Sequence, residues 1–309
     1  MKERLEKDIV ILGGGIAGMT AAIYAARANH SCAILEQSIT GGLANSTFTV
    51  ENFPSHKQIH GMRLMQDIRD QVDSYDIPVE EVCEIEGISL ETQPKIIETS
   101  EAVYVAKTVI IATGRKPIPL ETPTECERVH HCAICDGAAY KGKRVLVVGG
   151  GNSAFDEALY LTQLGVGHIT IVEKEDRFFA AQATQDSLLS MPGVAAHTRH
   201  RVVDLVVDGD ALTGVILEDL NTGVQRTEPM DGVFVFLGQS PNSELFAQDI
   251  RLDASGYVLA DADMQTNIPG VFSAGDINVK RFRQLTTAAA DGTIAALMAD
   301  RFLRTQGKG

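Results

Sequence analysis

The chain has 309 residues, of which 44% are hydrophobic and 22% charged, so it is long enough for two domains with their own cores and too apolar to be disordered. With 27 basic and 41 acidic residues the net charge is −14, which argues against nucleic acid or an anionic membrane as a partner. No apolar run has the length of a membrane span, and the highly charged segment 1–8 does not read as a signal peptide. Five cysteines with one closely spaced pair indicate a reducing compartment, so we expect a cytoplasmic protein.

Two segments of the chain resemble each other. Residues 7–37 read KDIVILGGGIAGMTAAIYAARANHSCAILEQ, and residues 143–174 read KRVLVVGGGNSAFDEALYLTQLGVGHITIVEK. Each has an apolar run typical of a buried parallel strand, a triple glycine, a stretch with helical spacing, and a second strand that ends in Glu. The pattern predicts two β-α-β units with right-handed crossovers.

The segments after these units also echo each other. TVIIATGRKP (108–117) and GVFVFLGQSPN (232–242) each read as a buried strand and a Gly/Pro turn, while 267–279 adds a short strand and 285–303 an Ala-rich amphipathic helix. We therefore predict an α/β fold with two Rossmann-like, three-layer nucleotide-binding domains, the second inserted into the first. The first domain is expected at 1–116 and 247–309, and the second at 117–246.

The first glycine loop has the spacing of a dinucleotide site. Gly13 permits the tight turn, Gly15 lets the backbone approach a pyrophosphate, and Gly18 brings the helix against the strand. The helix N-terminus supplies free N–H groups to the phosphates. Glu36 ends the second strand, where a carboxylate can accept hydrogen bonds from ribose hydroxyls.

The second loop repeats this pattern in its Ala-ending form. Gly149, Gly151 and Ala154 follow a strand, and Glu173 ends the next one. Two purely structural turns are the alternative, but strand, loop, helix and acid agree twice. The sequence predicts two dinucleotide sites, or one site and a vestige.

A Cys-x-x-Cys pair lies between the two units. Cys132 and Cys135 can close a small disulfide, and the adjacent Asp136 can exchange protons with their thiols. His130 and His131 make a Cys/His metal site conceivable, but no second pair of ligands appears, and we expect no metal. A redox dithiol is favoured over a metal site or a purely structural pair.

The remaining cysteines, Cys32, Cys83 and Cys126, are expected to have no redox role. Cys32 lies in an apolar strand and reads as a small core residue.

In their order along almost the whole chain, several motifs resemble the low-molecular-weight thioredoxin reductases of bacteria, a branch of the FAD-dependent pyridine nucleotide-disulfide oxidoreductases. The motifs are GGGIAG (13–18), TGG (40–42), ENFP (51–54), ATGRKP (112–117), CAICDG (132–137), GGGNSA (149–154), FLGQSPN (236–242), SAGD (273–276) and RQLTTAAADG (283–292).

The resemblance implies a flavoenzyme that is a homodimer, whose second domain swivels so that nicotinamide and dithiol take turns at the flavin. It implies that Cys135 faces the flavin, that Cys132 attacks the disulfide of a thioredoxin-like protein, and that Asp136 shuttles the proton. The residues it assigns to FAD are Gly13, Gly15, Gly18, Glu36, Gly42, Asn52, Thr113, Gly114, Asp276, Arg283 and Gln284.

The chain departs from the family pattern at two places. Leu43 stands where the family usually has Gln after TGG, and the segment 173–179 reads EKEDRFF where NADPH-dependent members carry an arginine clamp for the 2′-phosphate. Carboxylates so close together are a poor host for a phosphate dianion. The residues expected to bind pyridine nucleotide are Gly149, Gly151, Asn152, Ser153, Ala154, Glu173 and Lys174.

These features predict a thioredoxin reductase that takes electrons from NADH and passes them through FAD and the Cys132–Cys135 dithiol to a thioredoxin-like disulfide. NADPH held by Lys174 and Arg177, or ferredoxin, are the other donors considered. The alternatives are a ferredoxin-linked thioredoxin reductase and an FAD-dependent dithiol oxidase. A non-catalytic flavin sensor is disfavoured by the intact CAICD motif.

Overall fold

The apolar runs predicted as strands are strands in the computed structural model, which describes residues 2–47 and 49–306. The strands are β1 (Glu3–Leu12), β2 (Cys32–Leu35), β3 (Val79–Glu80), β4 (Ile85–Ser89), β5 (Lys95–Thr99), β6 (Ala102–Ile111), β7 (Arg115–Pro117), β8 (Val129–His130), β9 (Arg144–Val148), β10 (His168–Val172), β11 (Val194–His197), β12 (His200–Asp208), β13 (Ala211–Asp219), β14 (Gln225–Glu228), β15 (Gly232–Val235), β16 (Gln239–Pro241) and β17 (Val271–Ser273). The helices are α1 (Ile16–Arg27), α2 (Gly61–Asp73), α3 (Ala133–Asp136), α4 (Asn152–Gln163), α5 (Gln182–Leu189) and α6 (Leu285–Gln306), with 3₁₀ turns at Gly42–Ser46, Gly137–Tyr140 and Glu244–Phe246.

The chain divides into two compact units. Met1–Lys116 and Ser240–Gly309 form the first, and Pro117–Gln239 forms the second. The connecting strands β7 and β16 pair with each other as a two-stranded sheet. The chain returns to the first unit at Ser240, earlier than the predicted residue 247.

The first unit is built on a seven-stranded sheet in the order β3-β2-β1-β6-β5-β4, with β17 also paired to β6. The pairs among β1, β2, β3, β6 and β17 are parallel, whereas β4 and β5 add an antiparallel edge. Because side chains alternate across a strand, Ile9 and Ile11 join a core with α1 and α6, while Val10 and Leu12 join a core on the opposite face. Both faces of β1 are therefore buried, as its continuous apolar run predicts.

The second unit has three layers. Its central sheet is parallel, in the order β11-β10-β9-β15-β8, and an antiparallel sheet β12-β13-β14 lies on one face. Phe155, Ala158 and Leu161 of α4 pack on the other face. This arrangement confirms the predicted α/β fold of two Rossmann-like units, the second inserted into the first.

Several elements were not predicted. Among them are the antiparallel strands β4, β5 and β12–β14 and the helix α2, while α6 continues to Gln306, past the predicted residue 303. Within the described part of the chain, no helix has both the length and the apolar character needed to cross a membrane.

Candidate functional site

The first glycine loop, between β1 and α1, requires glycine at its start. Gly13 has φ +110°, and a Cβ there would lie 2.3 Å from the carbonyl oxygen of Ala112. Gly15 precedes α1 in an extended conformation without a side-chain cap, so the first N–H groups of the helix are left for a ligand. A Cβ built on Gly15 would meet no described atom within 4 Å. A phosphate group therefore fits beside this backbone.

A carboxylate lies against the same loop. Glu36 follows β2, and its Oε2 accepts a hydrogen bond from the N–H of Gly14 at 2.6 Å, while Oε1 accepts one from Ser38 N–H at 2.8 Å. These two bonds fix the side chain next to the helix N-terminus. Its oxygens retain acceptor capacity for the hydroxyls of a ribose.

Other residues predicted to bind FAD are held by hydrogen bonds within the first unit. The Oγ1 of Thr113 donates to the carbonyl of Asn242 at 2.8 Å, and the Nδ2 of Asn242 donates back to the carbonyl of Thr113 at 2.8 Å. The N–H of Asn242 donates to the Gly114 carbonyl at 3.0 Å. These three hydrogen bonds fix the turn that follows β6.

Two further contacts bring separate motifs together. The Nδ2 of Asn52 donates to the Oε1 of Gln284 at 3.0 Å, although 232 positions separate them in the sequence. A Cβ built on Gly42 would have the Cα of Gly15 as its nearest described neighbour, at 3.7 Å. Both contacts gather predicted flavin residues in one unit.

Unpartnered buried polar atoms mark the same region. Among the described residues, the buried side-chain atoms without a hydrogen-bond partner are Nε of Arg115, Oδ1 of Asp276 and Nε of Arg283. The other oxygen of Asp276 pairs with Arg115 at 3.0 Å, and the Arg283 guanidinium stacks on the ring of Tyr257 at 4.2 Å. Buried polar atoms generally have partners, so this set calls for a polar ligand.

The donors and acceptors of this set fit FAD, which presents hydroxyls along its ribityl chain and a pyrophosphate. Such a cofactor supplies two-electron transfer between a nicotinamide and a disulfide. Arg115 was not among the predicted site residues. Its place directly after Gly114 in the ATGRKP motif was the available signal.

The second glycine loop, between β9 and α4, repeats the geometry of the first. Gly149 has φ +124°, and a Cβ there would lie 2.4 Å from the carbonyl oxygen of Phe236. Gly151 precedes α4 without a side-chain cap, and Ala154 is fully buried. The Oδ1 of Asn152 accepts from Ala181 N–H at 2.8 Å, while Ser153 is exposed at the start of the helix. A second dinucleotide fits this loop.

The acid after the second strand takes the place that Glu36 has in the first unit. The Oε1 of Glu173 accepts from Glu175 N–H at 2.9 Å, and its Oε2 would lie 2.8 Å from a Cβ built on Gly150. Lys174 is exposed. The carboxylate of Glu173 thus lies at the loop, whereas the ammonium group of Lys174 has no partner among the described residues.

The nearby guanidinium groups already contact other side chains of the protein. Arg177 stacks on the ring of Phe179 at 5.2 Å, and Arg199 pairs with Asp176 at 3.4 Å. Arg199 was not predicted, because it lies on the turn between β11 and β12 and belongs to no motif of the sequence.

The predicted cysteine pair is a closed disulfide. Cys132 and Cys135 are bonded, and Cys132 caps α3 because its Sγ accepts from the N–H of Cys135 at 3.1 Å. A backbone donor aimed at sulfur stabilises a thiolate once the disulfide is reduced. Cys135 is exposed and Cys132 is half-buried.

The neighbourhood of the disulfide contains its predicted proton carrier. The Oδ2 of Asp136 lies 3.3 Å from the Nδ1 of His130, which ends β8. The described residues contain no group of three or more His, Cys, Asp or Glu side chains able to hold a metal ion. Burial raises the pKa of Cys32 and of Cys83 to about 11, so neither thiol ionises near neutral pH.

A carboxyl group that was not among the predicted site residues binds the backbone next to the disulfide. Glu157 of α4 accepts from Ala133 N–H at 2.9 Å through Oε2, and 24 positions separate the two residues. Burial raises the pKa of Glu157 to about 7, and the charge of Asp156 adds to the effect. The helical pattern of α4 offered no signal for this contact.

For Glu157→Gln we expect a melting temperature that depends less on pH. The folded protein holds this proton more tightly than the unfolded chain, so the stabilisation is complete below the unfolded pKa of about 4.3 and is lost as pH rises towards 7. The amide keeps an acceptor for Ala133 N–H and removes the charge. Relative to that of the parent, the melting temperature of the variant should rise by about 2 °C or more between pH 5 and pH 8. Scanning calorimetry measures this, with exposed Glu127→Gln as control; a pH dependence equal to that of the parent would contradict the assignment.

The fold and the two loops define a class of protein. Residues 7–292 match the family described as pyridine nucleotide-disulphide oxidoreductase, and the chain belongs to this family. It is a flavin-dependent disulfide oxidoreductase, as the sequence predicted.

Individual relatives are similar over nearly the whole chain. A Clostridium pasteurianum protein, described as a 34.2 kDa protein in the rubredoxin operon, is 41% identical over 98% of this chain and 99% of its own length. Thioredoxin reductase of Listeria monocytogenes is 34% identical over 96% of this chain and 93% of its own. The solved structure of Lactococcus lactis thioredoxin reductase superposes with a TM-score of 0.88 at 34% identity, over 97% of this chain and 99% of that one. These similarities confirm the predicted resemblance to the thioredoxin reductases.

Proposed function

We propose that this protein is a thioredoxin reductase that passes electrons from NADH through FAD and the Cys132–Cys135 disulfide to a thioredoxin-like protein. The observation that carries the proposal is the closed disulfide at the start of α3, with Asp136 one residue beyond it. Relatives named thioredoxin reductase support the same assignment. We also propose that the protein works as a cytoplasmic homodimer.

The first unit, in this proposal, holds FAD. The N–H groups at the start of α1 bind its pyrophosphate, Glu36 binds the adenosine ribose, and Asp276 and Arg283 bind the remaining polar groups through their unpartnered atoms. Gly149 and Gly151 of the second unit hold the pyridine nucleotide in the same way.

The dithiol chemistry follows from the residues around the disulfide. Reduction of Cys132–Cys135 breaks the S–S bond with two electrons and requires protons for the two sulfurs. Cys132, capped by the Cys135 N–H, is the thiolate that attacks the partner's disulfide, and Asp136 exchanges the proton. Cys135 then displaces the partner and closes the disulfide again.

The choice of NADH rests on charge. Glu173 lies at the glycine loop, where it accepts from both hydroxyls of an adenosine ribose and repels a 2′-phosphate. Asp176 neutralises Arg199, and the guanidinium of Arg177 is stacked on Phe179. These contacts leave few free cations for a phosphate dianion.

The experiment is anaerobic mixing with NADH, NADPH or reduced ferredoxin, followed by flavin bleaching and then by reduction of an added thioredoxin. We expect NADH to bleach the flavin and to sustain thioredoxin reduction faster than NADPH. Equal rates with both nucleotides would contradict the selectivity. Bleaching by reduced ferredoxin alone would contradict the proposed donor, and bleaching without thioredoxin reduction would contradict the proposed acceptor.

Replacing Glu173→Arg together with Glu175→Arg should shift the preference towards NADPH. Loss of like-charge repulsion and gain of attraction for the 2′-phosphate should change the ratio of the two bleaching rates by about 10-fold or more. Stopped-flow absorbance of the flavin gives both rates. The matched control is Asp208→Arg with Asp210→Arg, which makes the same charge change on the exposed β12–β13 hairpin. An equal change in the control would show a general charge effect and contradict the local assignment.

A further inference from the structure

A histidine beside the disulfide has no role in the function proposed above. His130 ends β8, and its Nδ1 lies 3.3 Å from the Oδ2 of Asp136. Its other ring nitrogen, Nε2, lies 2.7 Å from the hydroxyl of Tyr140. One imidazole therefore bridges the carboxylate next to the cysteine pair and a phenol behind it.

The imidazole is held by aromatic packing. The ring of His130 contacts Tyr140 edge-on with centroids 5.4 Å apart, and Phe234 with centroids 5.2 Å apart. Tyr140 and Phe234 are fully buried and pack on each other. A side chain between two such rings has little freedom to rotate, so its nitrogens keep their directions.

The surroundings keep this imidazole neutral at neutral pH. Burial lowers the pKa of His130, and the nearby Arg128 and His131 lower it further, against the opposing effect of Asp136. Burial also raises the pKa of Tyr140, so its hydroxyl remains protonated. Lys143, 5.4 Å above the ring of Tyr140, adds another positive charge on this side.

A neutral imidazole satisfies both neighbours in one tautomer only. Tyr140 O–H donates to Nε2, which leaves the proton on Nδ1 to donate to the carboxylate of Asp136. The hydrogen-bond chain thus runs from the phenol to the carboxylate and ends beside the cysteine pair. Asp136 therefore faces the Nδ1–H of His130, whose direction is fixed by the packing of the ring.

We propose that His130, held by Tyr140, is a positioning residue that orients the carboxylate of Asp136 for proton exchange with the dithiol. The inference deepens the proposed function and rests on the role given there to Asp136. Without the imidazole the Asp136 side chain is free to rotate away from the cysteine pair, so loss of His130 should slow the proton exchange.

The test uses the whole flavoprotein and follows the rate of thiol–flavin exchange by stopped flow between about pH 5.5 and pH 9. His130→Phe keeps an aromatic ring between Tyr140 and Phe234 but removes both nitrogens. We expect it to slow the exchange about tenfold, because the carboxylate of Asp136 loses the group that orients it. His130→Asn places an amide N–H near the position of Nδ1, and it should restore the exchange rate to within about twofold of the parent.

The matched control is His131→Phe, which makes the same change at a neighbour whose Nδ1 contacts the carbonyl of Val235. Its exchange rate should stay within about twofold of the parental rate. An unchanged rate in His130→Phe, an equal loss in His131→Phe, or no recovery in His130→Asn would overturn the inference.

A double variant separates this inference from the proposed function. If His130 acts through Asp136, His130→Phe should slow exchange no further once Asp136→Asn is present, because the two changes remove one interaction. Independent, multiplying losses would overturn the inference. If Asp136→Asn alone leaves exchange unchanged, the proposed role of Asp136 fails first, whatever His130→Phe does.

Discussion

Replacing either cysteine of the disulfide, Cys132→Ser or Cys135→Ser, should reduce thioredoxin reduction to background. A hydroxyl cannot form the disulfide with the remaining thiol, so the electrons lose their carrier between flavin and partner. Both cysteines lie outside the two glycine loops, so FAD should remain bound to the variants. Steady-state thioredoxin reduction and the flavin absorbance of the purified variants measure the two effects.

Cys126→Ser is the matched control for both variants. This free cysteine lies in the same unit, close in sequence to the pair, and forms no disulfide. Its replacement should leave turnover close to that of the parent. Turnover at the parental level in Cys132→Ser or Cys135→Ser would show that the disulfide is not the relay.

Asp136→Asn should slow the exchange between dithiol and flavin by about 10²–10⁴-fold, with little effect on folding. The amide has the volume of the carboxyl group but cannot carry its proton. Stopped-flow absorbance gives the rate, and Asp210→Asn on the exposed β12–β13 hairpin provides the control. A rate that is unchanged across about pH 6–9 would remove Asp136 from the mechanism.

The sequence was informative where local chemistry dictates the backbone. The runs 9–12 and 145–148 are continuously apolar because both faces of their strands are buried, and both are strands in the structure. Gly13 and Gly149 have positive φ and lie against a carbonyl, so no other residue fits these turns without strain. The cysteine spacing is short enough for the bond to form within one turn of helix.

The contacts that shape the site were harder to predict because they join distant positions. Glu157 reaches Ala133 across 24 positions, and Arg115 reaches Asp276 across 161. Both acids sit in segments whose pattern is explained by another role, a helix in one case and a loop in the other. Strands β12–β14 were missed because their alternation of exposed and buried residues is irregular, and the pairing of β12 with β13 contains register shifts.

Histidine 130 shows the same difficulty at a single position. His130 and His131 are adjacent in the sequence, and residue type alone made a metal site conceivable for both, although none was expected. In the fold the first contacts Asp136 and Tyr140, whereas the second contacts a backbone carbonyl. These contacts, together with the packing of His130 on Tyr140 and Phe234, distinguish the two imidazoles.

The most direct test of the electron path is an anaerobic reductive titration with NADH, comparing the parent with the variant that carries both Cys132→Ser and Cys135→Ser. In the parent, one equivalent of donor should be consumed by the disulfide and one by the flavin, since each takes up an electron pair. The variant should consume only the equivalent that reduces the flavin, and its flavin should bleach earlier in the titration. Equal consumption by parent and variant would contradict the account, because it would show that electrons from the flavin do not reach Cys132–Cys135.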